Sequence, residues 1–357
     1  MRPRSPYSSH AAPHQRLSRL DGGSPAATGI SELDSAVKML PHGNTRMPSD
    51  PFWTLKFARL RYAIAWLAYL WMRTAALLPM RWQIALGKSL GVAAYRVLPS
   101  RRRVVERNLE ACFPGLSRAE RDVLAREHFA ALGASFVEMA TGWFGPADKV
   151  RRRVRVEGAE HLRAALAAGH GVILFGAHFT SIEFFWAALR ALCPRLSGMY
   201  KWQRNPVMNQ MMYRGRGRYF DQMVDKDSVR DMLRELKKNA VFWYASDQSH
   251  SGKSSALIPF FDVPAMTNTA IARIAKASRA VVLPYFCRRI DGDHYVMSIY
   301  PALDGFPSGD DVRDTRRLVR LLEEYIRLCP EQYWWIHQRF KGRPALPDLY
   351  AKTPAAP

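Results

Sequence analysis

His178 and Glu183 are the two residues whose types and spacing best suit chemistry in this chain. They follow a short apolar segment, Val172 to Phe175, which lies between two glycines and predicts a strand buried on both faces. On a continuous helix the two side chains would lie roughly 140° apart, so they can meet only if His178 precedes the helix. The carboxylate would then accept from one ring nitrogen and leave the other as a general base.

The same stretch also has a purely structural interpretation. Thr180 or Ser181 is well placed to cap the helix predicted from Phe184 to Leu192, and Thr180 to Glu183 fits a capping box. In that case Glu183 only closes the helix start and His178 is an ordinary turn residue. Taken alone, the stretch favours this interpretation.

The elements that must position these residues alternate between strand and helix, which indicates an α/β fold with a central sheet flanked by helices. Beyond the central strand, strands are predicted at 196–200, 241–245, 281–286 and 295–299, and helices at 206–220, 228–238, 267–278 and 312–328. Upstream, a basic helix is predicted to end at Pro114, and a capping box at Ser117 starts a helix that runs to about Thr141. Open α/β sheets bind ligands at the carboxyl ends of their strands, where His178 is expected.

Further polar side chains follow other predicted strands or lie in turns, where they could converge on His178. Three of them alternate near the C-terminus, so an extended chain would point these cations to one side and Phe340 to the other. Taken singly, each has a plain interpretation as a solvated cation, a helix cap or a basic tail. The candidates for substrate binding are Lys201, Arg204, Asp247, Gln248, Arg339, Lys341 and Arg343.

The charge of the chain limits its partners. It has 357 residues, with 53 Lys and Arg against 31 Asp and Glu, a net charge of +22. Acidic partners are therefore expected, among them nucleic acid, an anionic membrane, a phosphorylated lipid or an acidic protein. The four cysteines match neither a zinc site nor a disulfide framework, so a reducing cytoplasmic setting is the simpler assumption.

The N-terminal part divides into a leader and an apolar segment. Residues 1–50 lack a sustained apolar period and predict a disordered leader, and Met47 is an alternative start. Residues 51–82 are expected to form a membrane-anchoring helix, because 62–80 is apolar apart from Arg73 and Pro79 and has basic flanks. It is short for a spanning helix, so an interfacial anchor and a core helix remain alternatives. The chain is then expected to continue as a catalytic domain at 83–345 and a flexible tail at 346–357.

Several motifs in order resemble the lipid A biosynthesis acyltransferases, the late acyltransferases of Gram-negative bacteria. The resemblance covers roughly residues 55–345. Its motifs are Arg107-Asn-Leu with Cys112-Phe-Pro114, residues 176–183, Met199-Tyr-Lys with Asn205-Pro206, residues 244–248, residues 258–261 followed by Thr267, and residues 335–344. Two positions depart from the family pattern: Lys201 stands where Arg is usual, and Ser249 to Ser251 replace an Asp that often follows Gln248.

The resemblance implies a glycerolipid-acyltransferase-like fold with a mixed sheet. It also implies acyl transfer from acyl carrier protein to a lipid A precursor, at a hydroxyl of a hydroxyacyl chain on a phosphorylated glucosamine disaccharide. His178 would be the general base and Glu183 would orient it, with no metal or other cofactor. It also implies the inner membrane as location, with the catalytic domain on the cytoplasmic face of an anionic bilayer and no nucleic acid as partner.

Other classes of protein explain part of the pattern. A glycerolipid acyltransferase would share the mechanism but generally has Asp at the second motif position. A non-catalytic basic module that binds a membrane or nucleic acid would explain the charge but not the ordered polar turns. A serine hydrolase is disfavoured because the chain has no G-x-S-x-G elbow.

Overall fold

A seven-stranded mixed sheet forms the centre of the protein in the computed structural model, which describes residues 62–351. The strand order is β1-β9-β8-β2-β5-β3-β4, and all neighbours are parallel except β8 and β9. A separate antiparallel hairpin is formed by β6 and β7. The strands are β1 Val154–Glu157, β2 Val172–Gly176, β3 Leu196–Tyr200, β4 Gln222–Asp225, β5 Val241–Ala245, β6 Ser255–Phe260, β7 Val263–Asn268, β8 Val281–Arg289 and β9 Tyr295–Ile299.

Helices cover the sheet, as the alternating pattern predicts. They are α1 Ala63–Ala75, α2 Met80–Val97, α3 Pro99–Cys112, α4 Arg118–Phe144, α5 Ala147–Arg151, α6 Ala159–Ala167, α7 Trp186–Leu192, α8 Pro206–Gly217, α9 Val229–Leu236, α10 Ala270–Ser278 and α11 Asp311–Leu328. Short 3₁₀ turns lie at Ile182–Phe184 and Pro330–Gln332. The expectation of a mixed α/β sheet flanked by helices is confirmed.

The central strand β2 is buried along its whole length, as its run of apolar residues predicts. It pairs in parallel with β8 on one side and with β5 on the other, so neither face nor edge meets solvent. The predicted bounds of β3, β5 and β9 are also those observed. The sheet therefore presents a fixed row of strand ends to the loops that follow.

Helix α4 begins with the predicted capping box, in which Ser117 and Glu120 each accept from the other's backbone N–H. It packs so closely on α2 that their backbones touch. A Cβ on Gly133 would lie 2.1 Å from the carbonyl oxygen of Gly87, so a side chain does not fit there. This backbone contact fixes the position of α2 against α4.

Some elements differ from the sequence predictions. The helix predicted from Thr267 begins only at Ala270, because Thr267 pairs with Ala256 in the β6-β7 hairpin. Strands β1 and β4 and the hairpin were not predicted, since they are short and carry charged or proline residues that disturb the period of two.

The segment predicted as an anchor is divided between two helices. Helix α1 ends at Ala75, a turn follows, and α2 starts at Met80. Among the residues described, none of the helices has the length and apolarity needed to cross a membrane. Residues 1–61, including the predicted leader, and residues 352–357 lie outside the described part. All four cysteines are buried and unpaired.

Candidate functional site

Two neighbouring parallel strands bring His178 and Asp247 together. Gly176 at the end of β2 lies opposite Ala245 at the end of β5. Each of the two residues comes two positions after that matched pair, so the loops leave the sheet side by side. The site therefore lies at the carboxyl edge of the sheet, where the sequence places it.

The Asp247 carboxylate holds His178 by two hydrogen bonds. Its Oδ2 accepts from the backbone N–H of His178 at 2.9 Å, and its Oδ1 lies 2.7 Å from Nδ1 of the ring. Because an ionised carboxylate can only accept, Nδ1 carries a proton, and in the neutral ring Nε2 is the nitrogen with the free lone pair. The ring is 32% exposed, whereas the Asp247 side chain is 1% exposed.

Asp247 is held in its ionised form. Burial raises the pKa of its carboxyl, but the attraction and hydrogen bonds of His178 outweigh that penalty, so the pKa lies below its usual value. The orientation of the ring is also fixed by Trp243, which packs edge-on at 5.9 Å between ring centroids. A Cβ on Gly176 would lie 2.4 Å from Nε1 of Trp243, so the end of β2 has to be a glycine.

Glu183 does not make the predicted hydrogen bond to His178. Its carboxylate accepts from the Nε of Arg216 at 3.0 Å and from the indole N–H groups of Trp143 and Trp186 at 3.0 and 2.9 Å. The chain after His178 bends and forms a 3₁₀ turn before α7 begins, which directs Glu183 towards α4 and α8. The expected contact is therefore wrong, and Asp247 takes its place.

The alternative capping interpretation is also wrong. Ser181 makes no side-chain cap, and the hydroxyls of Thr180 and Ser181 are buried without a hydrogen-bond partner among the described residues.

Burial raises the pKa of Glu183, but the charge and hydrogen bonds of Arg216 outweigh it and lower the pKa overall. Glu183 and Arg216 thus form a buried ion pair that ties the segment after His178 to α8.

The C-terminal segment after α11 closes on the backbone beside His178. The N–H of Trp334 donates to the carbonyl of His178 at 3.0 Å, and the N–H of Thr180 donates to the carbonyl of Gln332 at 2.8 Å. Phe179 and Tyr333 form a bridge between the same two segments. The loop that carries His178 is therefore held by the C-terminal segment as well as by the sheet.

Asn108 of α3 holds this segment in turn. Its side-chain amide donates to the carbonyls of Trp335 and His337 at 2.7 and 2.8 Å, and its oxygen accepts from the hydroxyl of Tyr350. The sequence showed Asn108 within a family motif but gave no role for it. Such a contact between residues more than 200 positions apart leaves no spacing signal.

A hollow too narrow to hold a water molecule lies at this junction and includes His178, Asp247, Gln248 and His337 in its lining. Burial lowers the pKa of His337 to about 4, so this second histidine is neutral at physiological pH. Its Nε2 accepts from the backbone N–H of Ser249 at 3.2 Å. His337 therefore fixes the loop after Asp247, and its Nε2 is occupied by that hydrogen bond.

The three C-terminal cations do not share a face. Residues 339–342 form turns, so the alternation expected of an extended chain does not apply. Arg339 is 2% exposed and donates to the carbonyl of Met266 and the hydroxyl of Thr267 at 2.9 and 2.6 Å. Lys341 is exposed, and Arg343 is half-buried and donates to the carbonyl of Pro347.

The remaining candidates lie near the same edge of the sheet. Lys201 and Arg204 are exposed in the loop after β3, and Gln248 lines the hollow. Asp247, expected to bind substrate, has both oxygens engaged by His178. Among residues 62–351 no group of three metal-ligating side chains is placed to hold a metal ion.

Comparison with known proteins gives a consistent result. A family model described as bacterial lipid A biosynthesis acyltransferase matches residues 53–342. The chain is 32% identical over 309 residues to the lipid A biosynthesis lauroyltransferase of Escherichia coli K12, covering 85% of this chain and 100% of that protein. It is 33% identical to the palmitoleoyltransferase of the same strain (81% and 94% covered) and 28% identical to its myristoyltransferase (82% and 91%).

Proposed function

The chain belongs to the bacterial lipid A biosynthesis acyltransferase family, and from this membership we propose that it moves a fatty acyl chain from acyl carrier protein to a hydroxyl of a lipid A precursor. The observation that carries the proposal is the hydrogen-bonded pair of His178 and Asp247 at the carboxyl edge of the sheet. It provides an oriented imidazole whose second nitrogen faces away from its partner, which is what activation of a hydroxyl requires.

In the proposed reaction, Nε2 of His178 removes the proton of the acceptor hydroxyl as the oxygen attacks the thioester carbonyl. The new C–O bond forms, the C–S bond breaks, and the departing thiolate takes the proton back from the imidazolium. Asp247 stabilises the imidazolium and fixes the tautomer, so it is a positioning residue. No covalent intermediate on the protein is needed.

The carbonyl oxygen gains negative charge during the attack and needs a donor near it. Gln248 lines the same hollow as His178, and its side-chain amide is one donor available there. Lys201 and Arg204 follow the next strand and supply positive charge at the same edge of the sheet. We assign Glu183 a different role from Asp247: its pairing with Arg216 holds the segment that follows the base.

We also propose that the protein works on the cytoplasmic face of the inner membrane. Helices α1 and α2 both carry large apolar side chains on their exposed sides, namely Leu67, Leu70, Trp82, Leu86 and Leu90, and Leu77 is exposed in the turn between them. Arg73 and Arg81 accompany them, which suits an anionic lipid surface. The net positive charge of the chain also suits acyl carrier protein, an acidic partner.

The test uses purified full-length protein, an acyl thioester of acyl carrier protein and a phosphorylated lipid A precursor, with product mass as the readout. Wild-type protein is expected to add one acyl chain, and folded His178→Ala protein is expected to add none. A lysophospholipid serves as the competing acceptor. Acylation of the lysophospholipid in preference to the lipid A precursor would contradict the proposal and favour a glycerolipid acyltransferase.

A further inference from the structure

An aromatic cluster follows strand β3, on the same edge of the sheet as His178. Trp202 lies nearly parallel to Tyr213 of α8, with ring planes 15° apart and centroids 5.8 Å apart. Tyr200 packs edge-on against both rings. Trp202 nevertheless stays 50% exposed. One face of the indole is therefore supported, and the other is open to solvent.

The cluster is held rigidly by α8. Asn209 accepts at its side-chain oxygen from the hydroxyl of Tyr200 at 3.0 Å and from the backbone N–H of Gln203 at 2.9 Å. Asn205 caps the helix by accepting from the backbone of Val207 and Met208. A fixed ring with an open face can bind a ligand with little loss of conformational freedom on binding.

The register of the sheet places this ring beside the base. Gly198 of β3 lies opposite Trp243 of β5, and Ala245 of β5 lies opposite Gly176 of β2. Trp202 and His178 therefore each lie two residues beyond the same row of the sheet. Trp202 follows β3 and His178 follows β2, and β5 lies between these two strands. Two strand spacings of about 4.8 Å put the loops about 10 Å apart where they leave the sheet.

Two cations flank the open ring. Lys201 and Arg204 are both exposed, and within residues 62–351 neither has a carboxylate at ion-pairing distance. The planar guanidinium of Arg204 can make paired hydrogen bonds to a phosphate, whereas Lys201 offers a point charge. An open aromatic face next to unpaired cations suits a ligand with an apolar ring face and an anionic group.

We propose that Trp202 is a stacking platform for a sugar ring of the acceptor, and that Lys201 and Arg204 bind a phosphate on that sugar. This inference rests on the proposed function and deepens it by assigning the sugar-phosphate subsite. The C–H face of a pyranose ring packs on an indole face, and the ring's hydroxyls remain in water. A separation of about 10 Å leaves room for the hydroxyacyl chain between the sugar and His178.

The test measures binding without an acyl donor, so it does not depend on turnover. A glucosamine disaccharide phosphate and the same disaccharide without phosphate are titrated into full-length protein and followed by NMR. Trp202→Ala is expected to weaken the binding of both ligands about tenfold, equivalent to about 1.4 kcal/mol. Trp202→Phe keeps an aromatic face and is expected to retain most of the affinity, which also guards against a folding defect in the alanine variant.

Variants of the cations separate the two parts of the subsite. Arg204→Ala and Lys201→Ala are expected to weaken binding of the phosphorylated disaccharide and to leave the affinity for the unphosphorylated one unchanged. Trp82→Ala is the matched control, because Trp82 is the same type of side chain, is 72% exposed and lies on another element, α2. It is expected to reduce co-sedimentation with phosphatidylglycerol vesicles and to leave disaccharide binding unchanged.

The outcomes distinguish the subsite from the enzymatic activity. Unchanged disaccharide affinity and unchanged acceptor KM in folded Trp202→Ala protein would overturn the subsite even if wild-type protein transfers acyl chains. If Trp202→Ala protein lost vesicle binding but still bound the disaccharide, the subsite would also be overturned, and Trp202 would be a membrane contact. Disaccharide binding that depends on Trp202 in a protein without acyl transfer would support the subsite and contradict only the proposed activity.

Discussion

At the scale of single residues, the position of His178, the proposed base, depends on one buried carboxylate. Asp247 bonds both the backbone and the ring of His178, so it sets where the residue lies and which nitrogen keeps a lone pair. In Asp247→Asn the amide can still bond the backbone, but it no longer balances the charge of an imidazolium. We expect kcat to fall by about 10²–10⁴-fold while acceptor KM changes little.

The check is steady-state kinetics with folding monitored by circular dichroism. Asp247→Glu is the companion variant, because it keeps the charge and shifts its position. If Asp247→Glu protein keeps part of the wild-type kcat and Asp247→Asn protein does not, the role of Asp247 depends on its charge. Equal activity of wild-type and Asp247→Asn protein would remove Asp247 from the mechanism.

The sequence identified His178 but not its partner. Glu183 was the natural choice, since it lies five positions away in the same stretch. Asp247 lies 69 positions after His178, and only the pairing of β2 with β5 brings it to the histidine ring. Spacing within one segment carries no information about which strand is adjacent, so this contact could not be derived from the sequence.

At the scale of elements, the ion pair of Glu183 and Arg216 joins the turn after His178 to α8. Both side chains are largely buried, at 12% and 18% exposure. Removing one partner leaves a buried charge, so Arg216→Ala is expected to lower the free energy of unfolding by about 3–5 kcal/mol. Urea denaturation at pH 7 measures it. Arg234→Ala is the control, because its pair with Asp231 is exposed and is expected to contribute at most about 1 kcal/mol.

The same pair predicts a pH dependence. The pKa of Glu183 is lower in the folded protein than in the unfolded chain. Its contribution to stability is therefore complete above the unfolded pKa and is lost as the pH falls through the folded pKa. Urea midpoints measured from pH 7 down into the acid range should converge for wild-type and Glu183→Gln protein. Parallel curves would mean that the pair does not contribute as its geometry indicates.

Arg339 joins the C-terminal segment to the β6-β7 hairpin and also lines the hollow beside His178. In Arg339→Ala the carbonyl of Met266 and the hydroxyl of Thr267 lose their partner, which is expected to cost about 1–3 kcal/mol. Lys341→Ala, at an exposed neighbour, should stay within about 0.5 kcal/mol of wild type. Thermal unfolding of the two variants compares them directly, and equal melting temperatures would be inconsistent with the buried contacts.

Periodicity revealed the buried strands but not the order of the sheet. Strand β2 was evident because four branched and aromatic residues stand between glycines, and β5 because it is equally apolar. The turn at Arg339 was missed because alternation of charged and aromatic residues also occurs in irregular chain. Its conformation is fixed by distant partners, Met266 and Thr267, that local pattern does not show.

At the scale of the whole molecule, the exposed apolar sides of α1 and α2 and the net positive charge favour association with an anionic bilayer. Leu86→Glu with Leu90→Glu places two negative charges on that surface. We expect co-sedimentation with phosphatidylglycerol vesicles to fall several-fold, because apolar burial and attraction to lipid are both lost. Val312→Glu, on the exposed side of α11, is the control and should bind like wild type. Equal binding by the double variant would place the membrane contact elsewhere.

The contacts between the C-terminal segment and the backbone of His178 also bear on how the protein is made. Trp334 reaches back to His178 across more than 150 residues, and Asn108 holds the same segment from α3. The loop carrying His178 is therefore enclosed only after the ribosome has synthesised the chain beyond Trp335. Nonsense mutations just upstream of Tyr333 would remove about 25 residues and yet leave no finished site. Truncation anywhere before Gln338 is thus expected to be tolerated poorly.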